Sequence, residues 1–156
     1  MISAVMIFTE NGFLLYSLLA EKDVDPVSFS GFLSALKSFA RSNLVTGDLR
    51  GIQIGKSFLN FFNLNFEHFG SLDVMILSEN LDPASSFALC TLIGEKFALY
   101  LDEKYLERPE IIKEINRGKN PNFRDFDQII MPLILECEMQ EGSCIESKVF
   151  IPNRVF

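Results

Sequence analysis

AVMIFTENGFLLYSL, residues 4–18, contains two apolar runs of strand length that are separated by Glu10-Asn11-Gly12. Asn-Gly between two such runs is a strong hairpin signal, because a type I′ turn needs positive φ at both of its central positions. The stretch therefore predicts two antiparallel strands joined by a tight turn.

A helix is predicted directly after the hairpin. Asp25-Pro26 has the chemistry of a helix start, because Asp accepts hydrogen bonds from the free amides and Pro at the first position loses none. Asn43 and Gly47 are expected to end this helix and form the turn after it. Between them, apolar residues recur at helical spacing, namely Phe29, Phe32, Leu33, Leu36 and Phe39, with Lys37 and Arg41 largely elsewhere.

Three more strands are predicted between Leu49 and Ser78, where the apolar pattern returns to a period of two. Breaks at Gly55-Lys56 and at His68–Ser71 separate them. The third strand of the chain is expected at about Leu49 to Ile54.

The remainder of the chain is predicted to be mainly helical. Asp82-Pro83 repeats the helix-start chemistry, and the pattern runs to about Tyr105. Two apolar stripes on this helix predict cover on both sides: Phe87, Cys90, Phe97, Leu101 and Tyr105 form one, and Leu89, Leu92, Ile93 and Tyr100 form the other. A short helix after Pro109 and a last helix capped by Asn122 follow, and residues 143–156 are expected to pack back or add a strand.

The predicted fold class is therefore α+β, a single domain over residues 1–156 in the order β-β-α-β-β-β-α-α. A five-stranded antiparallel sheet needs cover for its apolar side chains, and the capped helices supply it.

Composition excludes several functions. The net charge of −7 argues against nucleic acid as a partner, because such binding depends on Lys and Arg displacing counterions. Three cysteines without metal-ligand spacing are typical of reduced thiols, so we expect a cytoplasmic protein. No run approaches the roughly 20 apolar residues of a membrane span, so direct membrane insertion is not expected.

No catalytic, cofactor-binding or metal-binding residue is predicted. Gly51–Ser57 ends in Gly-Lys-Ser but has three residues between its glycines where a phosphate-binding loop needs four, so we interpret it as a hairpin turn. Paired acids such as Asp125 and Asp127 are interpreted as caps or solvated charges. A hydrolase that uses His68 and Cys90 is an alternative that spacing leaves open, although burial of the thiol would oppose it.

Three segments resemble the opening of longin-like and roadblock-like domains, particularly prokaryotic and archaeal members: ISAVMIFTENG at 2–12, LYS at 15–17 and SGFLSALKSF at 30–39. Roadblock domains usually place a helix before the first strand, whereas longin domains begin with the hairpin and end with two helices. The chain therefore resembles longin domains more closely.

The resemblance implies a profilin-like docking module of vesicle trafficking or of small-GTPase regulation, without a cofactor and peripheral to membranes only through a partner. A roadblock-like homodimeric scaffold subunit is the alternative. Surplus apolar surface on the long helix and the Phe-rich strands also favours a protein partner. The region that longins commonly use predicts these partner-binding residues: Phe29, Phe32, Leu33, Leu36, Lys37, Ala40, Arg41, Leu49, Ile52 and Ile54.

Overall fold

The protein is an antiparallel sheet with helices on both faces. The computed structural model describes residues 1–20, 25–43, 50–67, 70–119, 123–140 and 151–152. The strands are β1 (Ile2–Thr9), β2 (Leu14–Leu19), β3 (Gly51–Ile54), β4 (Ser57–Phe66), β5 (Gly70–Glu79) and β6 (Ile151–Pro152). The helices are α1 (Pro26–Asn43), α2 (Pro83–Glu107), α3 (Ile111–Asn116) and α4 (Asp127–Gln140), with a 3-10 turn at Arg124–Phe126.

The strand order is β3-β4-β5-β1-β2-β6, and all neighbours are antiparallel. The predicted fold class, a five-stranded antiparallel sheet packed with helices, is confirmed. The two-residue β6 extends the sheet beyond β2, where it pairs with Leu18 and Leu19.

The first hairpin is confirmed, but its turn differs from the predicted one. Gly12 has φ +86°, whereas Asn80 is the one non-glycine residue with positive φ in the described ranges, so Asn11 does not adopt a type I′ conformation. The Gly12 amide donates to the Thr9 carbonyl at 2.9 Å, and the Thr9 amide donates to the Phe13 carbonyl at 2.8 Å. This is a three-residue loop that ends in a left-handed glycine, which is the next most common hairpin solution.

Both predicted helix starts are confirmed. Asp82 caps α2 by accepting from the Ser85 amide at 3.0 Å, and Pro83 occupies the first turn. Asp25 accepts from the Val27 amide at 3.2 Å at the start of α1. The predicted cap of the last helix, Asn122, lies outside the described residues.

Two cores lie on opposite faces of the sheet. The larger one packs α2, α3, α4 and the 3-10 turn against β1, β2 and β5, with Phe97 and Phe126 fully buried at its centre. The smaller one packs Leu33 of α1 against Met6, Phe8, Leu59, Phe61 and Met75. The sheet therefore has apolar side chains on both faces, which explains why its central strands are almost continuously hydrophobic.

Helix α2 is less completely covered than predicted. Leu89, Cys90, Ile93, Phe97, Tyr100 and Leu101 are buried, but Phe87, Leu92, Leu99, Tyr105 and Leu106 are exposed. The sheet covers one face of α2, and α3 and α4 each contact part of it, so its outward side keeps apolar residues at the surface.

The expectation that no segment approaches a membrane span was wrong for α2. By length and composition, α2 is long and apolar enough to cross a membrane, and 44% of its most apolar stretch is buried. A helix that packs in a core needs the same apolar residues as one that spans lipid, so length and composition alone do not assign α2 to a membrane.

Candidate functional site

The predicted partner-binding residues divide into an inward and an outward set. Leu33 and Ala40 are buried between α1 and the sheet, and Lys37 is buried with them, so these three do not belong to the exposed surface of α1. Leu49 lies outside the described residues. The other predicted residues are exposed or half-buried: Phe29, Phe32, Leu36, Arg41, Ile52 and Ile54.

Lys37 is buried because it forms an ion pair with Asp73 of β5. The two side chains are 10% and 2% exposed. Asn63 of β4 also donates to the Asp73 carboxylate at 3.1 Å, and its amide reaches Ser71 as well. The pattern of α1 placed Lys37 on the polar side, but the acid on the neighbouring strand draws it into the interface.

The outward face of α1 carries no charge between Val27 and Phe39. Its exposed positions are Val27, Ser28, Gly31, Phe32, Ala35, Ser38 and Phe39. Phe32 and Phe39 are 55% and 59% exposed, although both were predicted to belong to the same apolar side as the buried Leu33. A helix face of this kind is unusual for a surface that contacts only water, because charged residues normally occupy it.

Helix α1 lies over β1 and β2, whereas β3 is at the far edge of the same sheet. The surface between α1 and β3, with β4 beneath it, is here called the α1–β3 groove. A cavity lies at each end of it.

The cavity at the N-terminal end of α1, the apolar cavity, has a volume of about 250 Å³. Phe29 of α1 and Ile54 of β3 face each other across it, and both belong to the predicted partner-binding set. The rest of its lining is mostly apolar and comes from four strands: Ser3, Ala4, Leu19, Ser57, Leu59, Leu77 and Glu79.

The cavity at the C-terminal end of α1, the basic cavity, has a volume of about 440 Å³. It lies beside Arg50, directly before β3 begins. Gly51 is the first residue of β3 and pairs with Asn60, and the Phe61 amide donates to the Arg50 carbonyl at 2.9 Å. Its lining combines basic and aromatic residues: Lys37, Arg41, Arg50, Phe61, Phe62, Asn63 and Phe87.

The sequence pattern missed the contribution of Arg50, Asn63 and Phe87 to this cavity. These residues come from the segment before β3, from β4 and from α2, and they meet because β4 is longer than β3 and exposes its edge there. Phe87 packs edge-on against Phe62 with ring centroids 4.2 Å apart. The sequence analysis assigned Phe87 to an apolar stripe of α2, so the pattern gave no signal that it would line this cavity.

The hairpin between β3 and β4 follows the predicted interpretation of Gly51–Ser57. Ile54 pairs with Ser57 across the two-residue turn, and Gly55 has φ +62°, as in a type II′ turn. The segment after Lys56 is a strand, so no helix N-terminus stands behind the glycines to bind a phosphate.

The cysteine of the alternative hydrolase is inaccessible. Cys90 is fully buried in α2, and burial raises the pKa of its thiol to about 12, which opposes formation of the nucleophilic thiolate. His68 lies outside the described residues. Within the ranges that the structure describes, no group of three His, Cys, Asp or Glu side chains is placed to hold a metal ion.

Asp125 and Asp127 bind tyrosine hydroxyls. Tyr100 of α2 donates to Asp125, and Tyr16 of β2 donates to Asp127. Partial burial raises the pKa of Asp127, and the hydrogen bond from Tyr16 offsets only part of this effect. Burial also disfavours the charge on Asp125, but hydrogen bonds from Lys104, at 2.8 Å, and Tyr100 outweigh it and lower the pKa of Asp125. These contacts fasten the start of α4 to the main core.

No family model matches the sequence, and no curated protein matches it.

Proposed function

We propose that this chain is a non-catalytic, longin-like protein-interaction module of the cytoplasm that binds a small GTPase or a membrane-trafficking component. The single observation that carries the proposal is the α1–β3 groove, in which Phe29 and Ile54 of the predicted set border one apolar cavity. A cavity between two elements, rimmed by exposed apolar side chains, is a common form of protein-binding site.

The exposed surface beside the groove supports the same function. Ile54 is 53% exposed at the edge of the sheet, and Phe32 lies on the uncharged outward face of α1. Covering such side chains contributes about 25 cal/mol per Å² of apolar area, and aromatic residues supply much of the binding free energy at protein interfaces.

A quantitative affinity experiment tests the proposal. Wild-type protein and the variants Ile54→Glu, Phe32→Glu and Leu106→Glu are immobilised and exposed to lysate of the source cells, and retained proteins are compared by mass spectrometry. Leu106 is the matched control, because it is 81% exposed but lies on α2, in the layer on the opposite face of the sheet.

The proposal expects a partner that the wild type and Leu106→Glu retain and that the other two variants lose. That partner is then purified and its affinity measured by calorimetry; for a GTPase, nucleotide release is followed with and without the module. Partners retained equally by Ile54→Glu and Leu106→Glu would overturn the assignment to this groove.

A homodimeric scaffold subunit is the second candidate, and the uncharged outward face of α1 favours it. Gly31 and Ala35 lie one turn apart on this face, near Phe32, and would let a second helix approach closely. Sedimentation equilibrium tests this candidate: a dimer that Phe32→Glu dissociates supports it, and a monomer at 100 μM excludes it.

A further inference from the structure

The two ends of the α1–β3 groove differ in charge, and the difference specifies the chemistry of a partner. Among the described residues, three basic and no acidic side chains line the basic cavity, and Glu79 is the one charged side chain that lines the apolar cavity. The chain as a whole has 21 acidic and 14 basic residues. The described part of this lining therefore has a charge opposite to the net charge of the protein.

The cations of the basic cavity differ in how far they are already neutralised. Lys37 is paired with the buried Asp73. Arg41 lies 3.7 Å from Glu10, but both side chains are about half exposed, at 47% and 56%, so the pair is weak and water-screened. Arg50 forms no ion pair with an acid of the described ranges. Arg50 is therefore the cation from which an incoming anion would displace no described acid.

The residues around these arginines favour a carboxylate contact. Phe61, Phe62 and Phe87 add aromatic surface to the lining, and a guanidinium binds a carboxylate through two parallel hydrogen bonds. Such a charge-assisted pair is stronger than a hydrogen bond between neutral groups.

Helix α1 and strands β3 and β4 each run from one cavity to the other, and each gives a similar distance between them. From Phe29 to Lys37, α1 advances about 12 Å at about 1.5 Å per residue. From Arg50 to Ile54, β3 advances about 13 Å at about 3.3 Å per residue, and β4 covers a similar distance from Ser57 to Phe61. An extended peptide covers this distance in about four residues, and residues i and i+4 of such a peptide point to the same side.

We propose that the α1–β3 groove binds an extended acidic segment of a protein partner. One apolar side chain of the segment occupies the apolar cavity, and an Asp or Glu four residues away occupies the basic cavity and pairs with Arg50. The inference rests on the proposed function and adds the spacing and charge of the sequence that the groove selects.

Selection from a random twelve-residue peptide library displayed on phage tests the inference with the full chain as target. Peptides retained by wild type and lost by Ile54→Glu are sequenced. One of them is synthesised with a fluorescent label, together with its Glu→Gln counterpart, and dissociation constants are measured by anisotropy in 50 and 300 mM NaCl. Protein variants are Arg50→Gln and, as the matched control, Arg117→Gln, an exposed arginine next to α3.

The expected result is enrichment of an acidic residue four positions from an apolar one. Arg50→Gln and the peptide's Glu→Gln change should each weaken binding roughly tenfold or more, without adding to each other, because they remove the same pair. Binding to wild type should weaken with salt more than binding to Arg50→Gln, and Arg117→Gln should match the wild type. Circular dichroism confirms that each variant is folded.

Other outcomes overturn the inference in distinguishable ways. Selected peptides that depend on Ile54 but show no acidic enrichment would leave the proposed function intact and refute the role of the basic cavity. A selection that yields no peptide dependent on Ile54 would count against both. Displacement of the labelled peptide by 5 mM inorganic phosphate, with no effect of the peptide's Glu→Gln change, would assign the basic cavity to free anions.

Discussion

Replacing Lys37 with Met tests whether the buried ion pair holds α1 against the sheet. The change keeps the unbranched apolar stem of the side chain and removes the charge that neutralises Asp73. Because the Asp73 side chain is only 2% exposed, its carboxylate would remain in a site from which water is excluded. Breaking a buried pair in this way typically costs about 3–5 kcal/mol. Asn63 still donates to Asp73, so we expect the lower end, about 3 kcal/mol.

Urea unfolding followed by far-ultraviolet circular dichroism measures this effect, since the chain has no Trp to report by fluorescence. With a denaturant slope of about 2 kcal/mol per M, the unfolding midpoint should fall by about 1.5 M. Arg117→Met is the control, because Arg117 is exposed and forms no ion pair with an acid of the described ranges, so its loss should shift the free energy of unfolding by under about 0.5 kcal/mol.

The double variant Lys37→Met with Asp73→Leu shows how much of the lost stability comes from leaving the Asp73 carboxylate buried without its partner. Since it leaves no buried charge behind, it should recover most of the stability that the single variant loses. A single variant whose midpoint falls by less than about 0.3 M, or a double variant no more stable than the single one, would refute the reasoning.

Three further predictions concern the turns, the tyrosine–acid contacts and the buried thiol. Gly12→Ala should lower the free energy of unfolding by roughly 1–3 kcal/mol, because Gly12 has φ +86° and an added Cβ would lie 2.8 Å from the Ser34 side chain. In the same urea titration Gly55→Ala should lower the free energy of unfolding by less. Gly55 also has positive φ, +62°, but an added Cβ there would meet no atom within 4 Å. An equal loss of stability for the two variants would contradict this. Asp127→Asn should stabilise the protein at pH 7, because the pKa of Asp127 is raised in the folded state and its ionised form is therefore disfavoured by folding. That penalty is present above the folded pKa and absent below the unfolded value near 3.9, so the gain should vanish at pH 3; a gain independent of pH would exclude it. Cys90, with its pKa raised to about 12, should react with iodoacetamide at pH 8 on the order of 10³ times more slowly in native protein than in urea, and equal rates by peptide mass spectrometry would show that it is accessible.

Local sequence signals predicted the elements because each signal acts over a few residues. Asp25-Pro26 and Asp82-Pro83 begin helices through hydrogen bonds within the same turn, and the hairpin of residues 4–18 closes through neighbours along the chain. The conformation of the first turn was wrong in detail, because Asn-Gly is compatible with more than one loop length and the β-bulge between Ile7 and Phe8 changes the register before the turn.

The direction in which each helix faces depended on partners far along the chain. Helical spacing grouped Phe32 and Phe39 with Leu33, but a helix with apolar residues over a wide arc can bury more than one side. The face of α1 that packs on the sheet is the one from which Lys37 pairs with Asp73 of β5. With this face inward, both phenylalanines lie at the surface.

The sequence by itself determined the order of strands and helices, the antiparallel sheet and the region in which a partner surface was sought. Only the tertiary structure decided which members of that region are accessible. It also placed Phe29 and Ile54 in the lining of one cavity, and Arg50 and Phe87 in the lining of the other. The physical reason is that capping and turn formation are local, whereas a cavity forms from side chains whose distance is set by how α1, β3 and α2 are offset across the sheet.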